Sequence, residues 1–253
     1  MPSKWWEKFF KNHYWNIYQN KFTEKRNKKE VNFIYKTLNL SEKSTVLDLC
    51  GGHGRIAIPL AQKGVNVHVL DFNKDFLNSA QEKANEKDVN IETCKSDMRE
   101  IPYSNKFDAV INIYASFGYF KSEKENLKVL KEVNRSLKLN GLFLIDVQNS
   151  KWIEKNHSPE MREQHDTKTI IKKSKLDLEN KRNRVEIFIV DNKNKKTTKT
   201  LHETRLYSFN ELKNKLENTG FKIVKKYGNF EKEKLNPGKS RRIITLARKV
   251  SNL

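Results

Sequence analysis

The stretch DLCGGHGR, residues 48–55, sits between a run of strand formers, STVLDLC, and a short apolar run, RIAIPLAQKG. A strand that breaks into glycines and re-enters a helix presents backbone N–H groups with no side chain in front of them, so a ligand can approach closely. Such a loop belongs at the edge of a sheet covered by helices, and the residues that follow repeat the strand–helix pattern. VNVHVLDFN, VNIETCKSDM, KFDAVINIYASFGYF and GLFLIDV read as further strands. KDFLNSAQEKANEK reads as a helix with Phe76, Leu77 and Ala80 on one face. Pro59 fits in or near the first turn of the short helix that stops at Gly64. Ser122 and Glu125 have capping-box spacing ahead of Leu127, Leu130, Val133 and Leu137, which face inward, and an Asn140-Gly141 turn precedes the fifth strand. This alternation over residues 44–150 predicts an α/β, doubly wound, mainly parallel sheet.

Beyond that core, residues 151–167 read as polar and irregular. Residues 168–207 then give three alternating segments separated by Asn-rich and Lys-rich turns. They are too short to bury a core alone, so they read as antiparallel strands inserted into the core. Ser208 and Glu211 form a second capping box, opening a helix through Leu212 and Leu216 to a stop at Gly220, and FKIVKKYGNF and RRIITLARK supply an antiparallel pair that closes the sheet edge. The expected organisation is therefore an N-terminal helical lid (1–43), a core (44–150), an antiparallel insertion (151–207) and a C-terminal helix with two strands (208–253), giving seven strands in the main sheet.

At 253 residues the chain is long enough for one sizeable core with decoration. No apolar run approaches the roughly 20 residues needed to span a bilayer. The start, MPSKWWEKFF, lacks an export signal's apolar stretch and small-residue cleavage site, and Cys50 and Cys94 are too few for a disulfide framework or thiolate metal cluster. These features predict a cytoplasmic protein with no membrane partner. The net charge of +20 is unevenly spread. Residues 44–150 balance, with 14 Lys and Arg against 14 Asp and Glu, while the excess is +5 in 1–30, +7 in 168–199 and +8 in 211–253. A basic field invites a nucleic-acid reading. Lys outnumbers Arg 40 to 11, however, which is compositional bias as much as phosphate recognition, where Arg is the usual choice.

The spacing of Gly52 and Gly54, with Ala57 three residues on and an acidic residue at Asp71, does not by itself exclude a nicotinamide dinucleotide. Asp48 at the start of the loop and the later KSDM point elsewhere. With these motifs in register, the chain resembles the class I S-adenosylmethionine-dependent methyltransferases, whose fold is Rossmann-like; Cys50 and Gly51 stand where that family usually has Gly and a small residue. The resemblance implies that Asp71 bonds both ribose hydroxyls, that Asp97 and Met98 contact adenine, and that Arg55 meets the methionyl carboxylate. The cofactor site it implies comprises Asp48, Cys50, Gly51, Gly52, Gly54, Arg55, Asp71, Phe72, Asp97, Met98 and Asn112, with Tyr14 and Tyr18 from the lid, and S-adenosyl-L-homocysteine as product. His53 is read as loop filler.

In that superfamily the transferred methyl faces the loop after the fourth strand, here INIYASFGYF. It lacks the Asn/Asp-Pro-Pro-aromatic motif of adenine N6 enzymes and the Pro-Cys of cytosine C5 enzymes. SFGYF resembles the loop of small-molecule and peptide N-methyltransferases, including those acting on amino sugars, in which an aromatic N-terminal helix closes over the cofactor. WWEKFFKNHYWNIYQNKF offers such a lid, with Tyr14 and Tyr18 at i, i+4 on one helix face. Tyr119 is the expected residue beside the methyl, and His202 a candidate base at neutral pH. Phe117, Tyr119, Arg205 and Tyr207 are the expected acceptor contacts. No metal site is assigned, because His157 and His165 have no ligand spacing to carboxylates. The expected acceptor is the nitrogen, or else the oxygen, of a small molecule or short peptide. RNA held by the basic insertion is a second reading, and a non-catalytic S-adenosylmethionine-binding protein a third. Oligomeric state is not legible.

Overall fold

A computed structural model describes residues 4–252. The chain opens with α1 (Trp5–Asn12), α2 (Tyr14–Tyr18) and α3 (Glu24–Thr37). The core follows as β1 (Thr45–Leu49), α4 (Ala57–Ala61), β2 (Asn66–Asp71), α5 (Lys74–Glu86), β3 (Glu92–Lys95), β4 (Phe107–Asn112), α6 (Glu123–Ser136) and β5 (Leu137–Gln148). Next come α7 (Ser150–Lys155), β6 (Glu160–Gln164), β7 (Lys168–Asp177), β8 (Arg182–Asp191) and β9 (Thr197–Arg205), and the chain closes with α8 (Phe209–Glu217), β10 (Phe221–Tyr227) and β11 (Arg242–Lys249).

The main sheet has the order β10-β11-β5-β4-β1-β2-β3. β1 to β5 pair in parallel, β11 runs antiparallel to β5, and β10 antiparallel to β11. Strand side chains alternate between two buried layers, as the period of two requires. Leu47, Leu49, Val110, Phe143 and Ile145 meet α6 and α8 on one face. Val46, Val67, Val69, Ile111 and Leu144 meet α3, α4 and α5 on the other. Both faces being covered explains why the core strands are almost wholly apolar. Strand order reverses between β1 and β4, so the loops after these two strands diverge and open a crevice between them.

Four readings change. The aromatic N-terminal run is two helices, broken at His13 (φ −129°, ψ −32°), and the break sets Tyr14 beside Phe10 with ring centroids 5.0 Å apart. Ser122 caps α6 through the Lys124 N–H at 3.2 Å without a capping box, because Glu125 turns to Arg99 instead. β5 begins at Leu137, ahead of the Asn140-Gly141 turn, which survives as a kink in the strand with Asn140 at φ +66°. The stretch read as irregular contains β6, a polar edge strand that escapes detection because none of its side chains is buried. The insertion is therefore a four-stranded sheet of order β6-β7-β8-β9, and α1 packs on β9. The second capping box forms as read.

Candidate active site

The loop after β1 is shaped by its own backbone. Cys50 adopts φ +61°, a left-handed conformation, and its N–H reaches the carbonyl of Leu70 at 2.8 Å. A Cβ on Gly51 would lie 2.7 Å from the Asp48 carboxyl and 2.9 Å from Val69, so only glycine lets the turn close over β2. The Gly52 N–H donates to Asp71 Oδ2 at 3.1 Å, and the Asn73 N–H to Asp71 Oδ1 at 2.9 Å. Asp71 is thus aimed by two backbone groups and still has lone pairs to spare. Asp48 Oδ2 is buried with no hydrogen-bond partner among the described residues. Burial, with the Asp71 charge nearby and in spite of Arg55, pushes the Asp48 carboxyl up to about 7. Burial raises Asp71 to about 6 against its backbone hydrogen bonds. Burial and the surrounding carboxylates keep the Cys50 thiol protonated, its S–H directed at Met98 Sδ 3.6 Å away.

Above this loop lies an open cavity of about 940 Å³, the solvent space at its mouth included. The loop after β3 supplies Ser96, Asp97 and Met98, and the loop after β4 supplies Ile113, Tyr114, Ser116, Tyr119 and Phe120. Trp6, Phe10 and Tyr14 of the lid complete it. Asp97 is clamped by Arg99, whose backbone N–H and Nε reach Oδ1 at 2.8 and 2.9 Å, and Arg99 lies over the Phe120 ring. Tyr114 and Ala115 both take left-handed backbone conformations (φ +69° and +59°) at a cost of about 1–2 kcal/mol each. Asp146 holds them there: its carboxylate accepts the Tyr114 N–H at 2.9 Å and its carbonyl the Ala115 N–H at 3.1 Å. Asp146 is itself ion-paired with Arg242.

A second cavity, of about 970 Å³, lies behind the first, and Phe10, Tyr14, Tyr114 and Tyr119 line both. Its remaining lining includes Tyr18, Gln148, His202, Lys21, Arg26 and Arg241. His202 is packed against Trp5 and Phe9 at 5.1 and 5.4 Å, and burial together with the Lys172 charge lowers its pKa to about 4. It is therefore a neutral imidazole at pH 7. The Tyr119 hydroxyl, held by burial well above its ordinary pKa, stays protonated and available as a donor.

Of the residues expected at the cofactor site, Asp48, Cys50, Gly51, Gly52, Arg55, Asp71, Phe72, Asp97, Met98 and Tyr14 line the first cavity. Arg55 does so while ion-paired to Glu30 and bonded to Asn27 at 3.0 Å. Three do not. Gly54 lies outside the wall, between Ile58 and Ala80, where it lets α4 approach α5. Asn112 ties β4 to the Leu49 carbonyl at 3.0 Å. Tyr18 faces the second cavity, together with Tyr119 and His202. The expected acceptor contacts Phe117, Arg205 and Tyr207 line neither cavity. Tyr207 is fully buried against Phe117 at 5.3 Å, while Arg205 is ion-paired to Glu123 and Glu211, and its N–H donates to the Gly118 carbonyl at 2.8 Å. Together they rivet the inserted sheet to the core. The end of β9 thereby passes under the loop after β4.

Sequence reasoning missed Trp6, Phe10, His53, Phe76, Tyr114 and Ser116 in the first cavity. His53, read as filler, is a wall residue stacked edge-on to Trp15 at 4.4 Å. The aromatic density of the lid was the available signal for Trp6 and Phe10. For Arg241 and Arg242, some 90 residues beyond the loops they join, there was none.

The two buried carboxylates beside the glycine loop, one with an orphaned oxygen, fit a ligand that carries a cation and hydroxyl donors and oppose a pyrophosphate. Comparisons agree with that fit. Residues 46–141 match the family described as methyltransferase domain. A glycine/sarcosine N-methyltransferase of Aphanothece halophytica is 34% identical over 148 residues, 54% of this chain and 56% of that protein. The chain spans about half the length of curated relatives such as this one. The crystal structure of an S-adenosylmethionine-dependent methyltransferase from Clostridium acetobutylicum ATCC 824 is similar with a TM-score of 0.81 at 20% identity, covering 97% of this chain and 99% of that one. S-adenosylmethionine-bound CalS10, an amino pentose methyltransferase from Micromonospora echinaspora, gives 0.71 at 13% identity over 93% and 96% of the two chains. At these identities the structural likeness is one of fold. Among the described residues no helix is long and apolar enough to cross a membrane.

Proposed function

From a core that matches a methyltransferase domain, we propose that this chain is an S-adenosylmethionine-dependent methyltransferase acting on the nitrogen of a small molecule or short peptide. The observation that carries the proposal is the shared wall. One cavity has the carboxylates, glycine loop and apolar floor suited to the cofactor, and the other is closed by the lid, β9 and β11. Phe10, Tyr14, Tyr114 and Tyr119 border both. In this reading Asp71 accepts the ribose hydroxyls, Asp97 and the Met98 backbone address adenine, Asp48 takes the methionyl ammonium and Arg55 the methionyl carboxylate. When bound, S-adenosylmethionine supplies an electrophilic methyl group, and the acceptor nitrogen's lone pair forms the new bond as sulfur regains the electron pair of the old one.

The chain's contribution is then positioning and exclusion of water. Tyr119 donates a hydrogen bond at the wall, and the aromatic lid covers the site. The second cavity is lined by Lys21, Arg26, Arg241 and Arg242 and by no carboxylate. That field disfavours an ammonium and favours the neutral, nucleophilic amine, so the acceptor can shed its proton to solvent before it binds. His202, a weak base at a pKa of about 4, is accordingly assigned as a neutral lining group, not as the proton acceptor.

The relative named as a glycine/sarcosine N-methyltransferase supports nitrogen as the target. The test is methyl incorporation from labelled S-adenosylmethionine into an extract of the source cells, separated into small molecules, RNA and protein. Label in the small-molecule or peptide fraction is expected. Label confined to an RNase-sensitive fraction would move the acceptor assignment to RNA, and cofactor binding with no label in any fraction would make the chain a binding protein.

A further inference from the structure

The second cavity carries an imbalance of charge that fold and lid do not require. Glu163 bridges Lys21 at 2.9 Å and Lys172 at 2.7 Å. Glu30, a buried residue of α3, is shared by Arg26 at 2.8 Å and Arg55. Asp146 pairs with Arg242. Arg241 has no carboxylate partner among the described residues and lies over the Trp152 ring at 5.5 Å. Lys21, Arg26, Arg241 and Arg242 thus line the cavity, and the two carboxylates Glu163 and Glu30 behind them are each divided between a pair of cations. Burial and the Lys21 charge pull Lys172 below its ordinary pKa although Glu163 opposes them, as expected where cations outnumber anions. Holding such a cluster together in a half-enclosed, aromatic-walled space is costly unless an anion completes it.

We propose that the second cavity is built for an acceptor bearing an anionic group, a carboxylate or a phosphate, which Lys21, Arg26 and Arg241 engage while the acceptor nitrogen faces the wall shared with the first cavity. Arg26 comes to that space from α3 and Arg241 from the residue before β11, and both are planar donors suited to two-oxygen groups. Arg242 is committed to Asp146 and shapes the loop after β4. The inference rests on the methyltransferase reading and names the chemistry of its acceptor.

The test is calorimetry on the full chain, in two stages. S-adenosylhomocysteine is titrated first, and its binding checks the underlying reading alone. The loaded protein is then titrated with acetate and, separately, with inorganic phosphate, so that the two sources of negative charge are told apart. Binding of at least one anion is expected, weakening about tenfold in Arg241→Gln and again in Lys21→Gln while S-adenosylhomocysteine affinity is unchanged. Arg241→Gln alters an exposed side chain and keeps the fold, so its result is interpretable if Lys21→Gln is unstable. If S-adenosylhomocysteine binds but neither anion does, or if both variants bind the anion as well as the parent protein, the anionic acceptor is wrong and methyl transfer stands. If S-adenosylhomocysteine does not bind, the reading falls and the inference with it.

Discussion

The two cavities differ in how they are made. The first joins the glycine loop and the ends of β1, β2 and β3, all within residues 48–98, to aromatic side chains of α1, α2 and the loop after β4, and its carboxylates Asp48, Asp71 and Asp97 stand with one cation, Arg55. The second is assembled from α1 to α3, the loop after β4, β9 and β11, segments spread over more than 200 residues, and its charged groups are cations. The first needs exact main-chain geometry, which is why Cys50 sits at φ +61° and why a Cβ at Gly51 would strike Asp48. The second needs only side chains of suitable charge and shape on a frame set elsewhere. A chain built this way can keep its cofactor chemistry while its acceptor changes, because the two sites meet at only four residues.

Substitutions can break that division. Replacing Asp71 by Ala removes the acceptor for the ribose and the partner of the Gly52 N–H, and should weaken S-adenosylmethionine binding about 100-fold by calorimetry. Unchanged affinity would refute the ribose assignment. Gly51→Ala should cost about 1–3 kcal/mol of stability in denaturant unfolding and weaken the cofactor as well, since Asp48 must move. Stability equal to that of the parent chain would mean the loop has slack that the geometry denies. Tyr119→Phe acts at the shared wall and should lower turnover about tenfold while leaving cofactor affinity nearly intact. A parent-like methyl-transfer rate would remove the hydroxyl from the chemistry.

The pH dependence sharpens the same contrast. Asp48 and Asp71 titrate near 7 and near 6 in the folded chain, above the roughly 3.9 of an unfolded aspartate. A raised carboxyl favours the folded state at low pH, and that contribution is lost as pH rises through the folded values. The ligand-free protein should therefore lose stability from these two groups between about pH 4 and 7. A bound ammonium and ribose hydroxyls reverse this by favouring the ionised carboxylates, so the rise in melting temperature caused by S-adenosylhomocysteine should grow from pH 5.5 to 8. A rise that is flat with pH would mean that neither carboxylate meets the ligand. The smallest effect is expected at Arg205, now placed in the joint between insert and core. Arg205→Gln should lower the melting temperature by about 2–4 °C without changing acceptor KM. A raised KM at parent stability would return this residue to the acceptor site.

How much was legible follows from the same division. Strand–helix alternation, the glycine loop and the acidic residues after β2 and β3 are local patterns, and the parallel core and nine of the residues expected on the first cavity's wall follow from them and from the resemblance they carry. The insertion was read one strand short because β6 buries none of its side chains, and periodicity registers only burial. That Phe117, Arg205 and Tyr207 line neither cavity was not legible, because their contacts join β9 and the residues after it to the loop after β4, and such contacts depend on packing. Arg99 on Asp97, and Asp146 holding Tyr114, were invisible because each partnership depends on packing and not on spacing.

The amino-acid sequence by itself determined the sheet, its seven strands, the loop that approaches a ligand and the carboxylates beside it, since hydrophobic period and backbone conformation are properties of neighbouring residues. Only the tertiary structure decided that a second cavity exists, that it is cationic, and that Tyr119 and His202 face it while Arg205 does not. Lys21, His202 and Arg241 become neighbours only once a sheet with buried faces has brought α1, β9 and β11 around the loop after β4, and electrostatics acts between side chains by distance in space, not by distance along the chain.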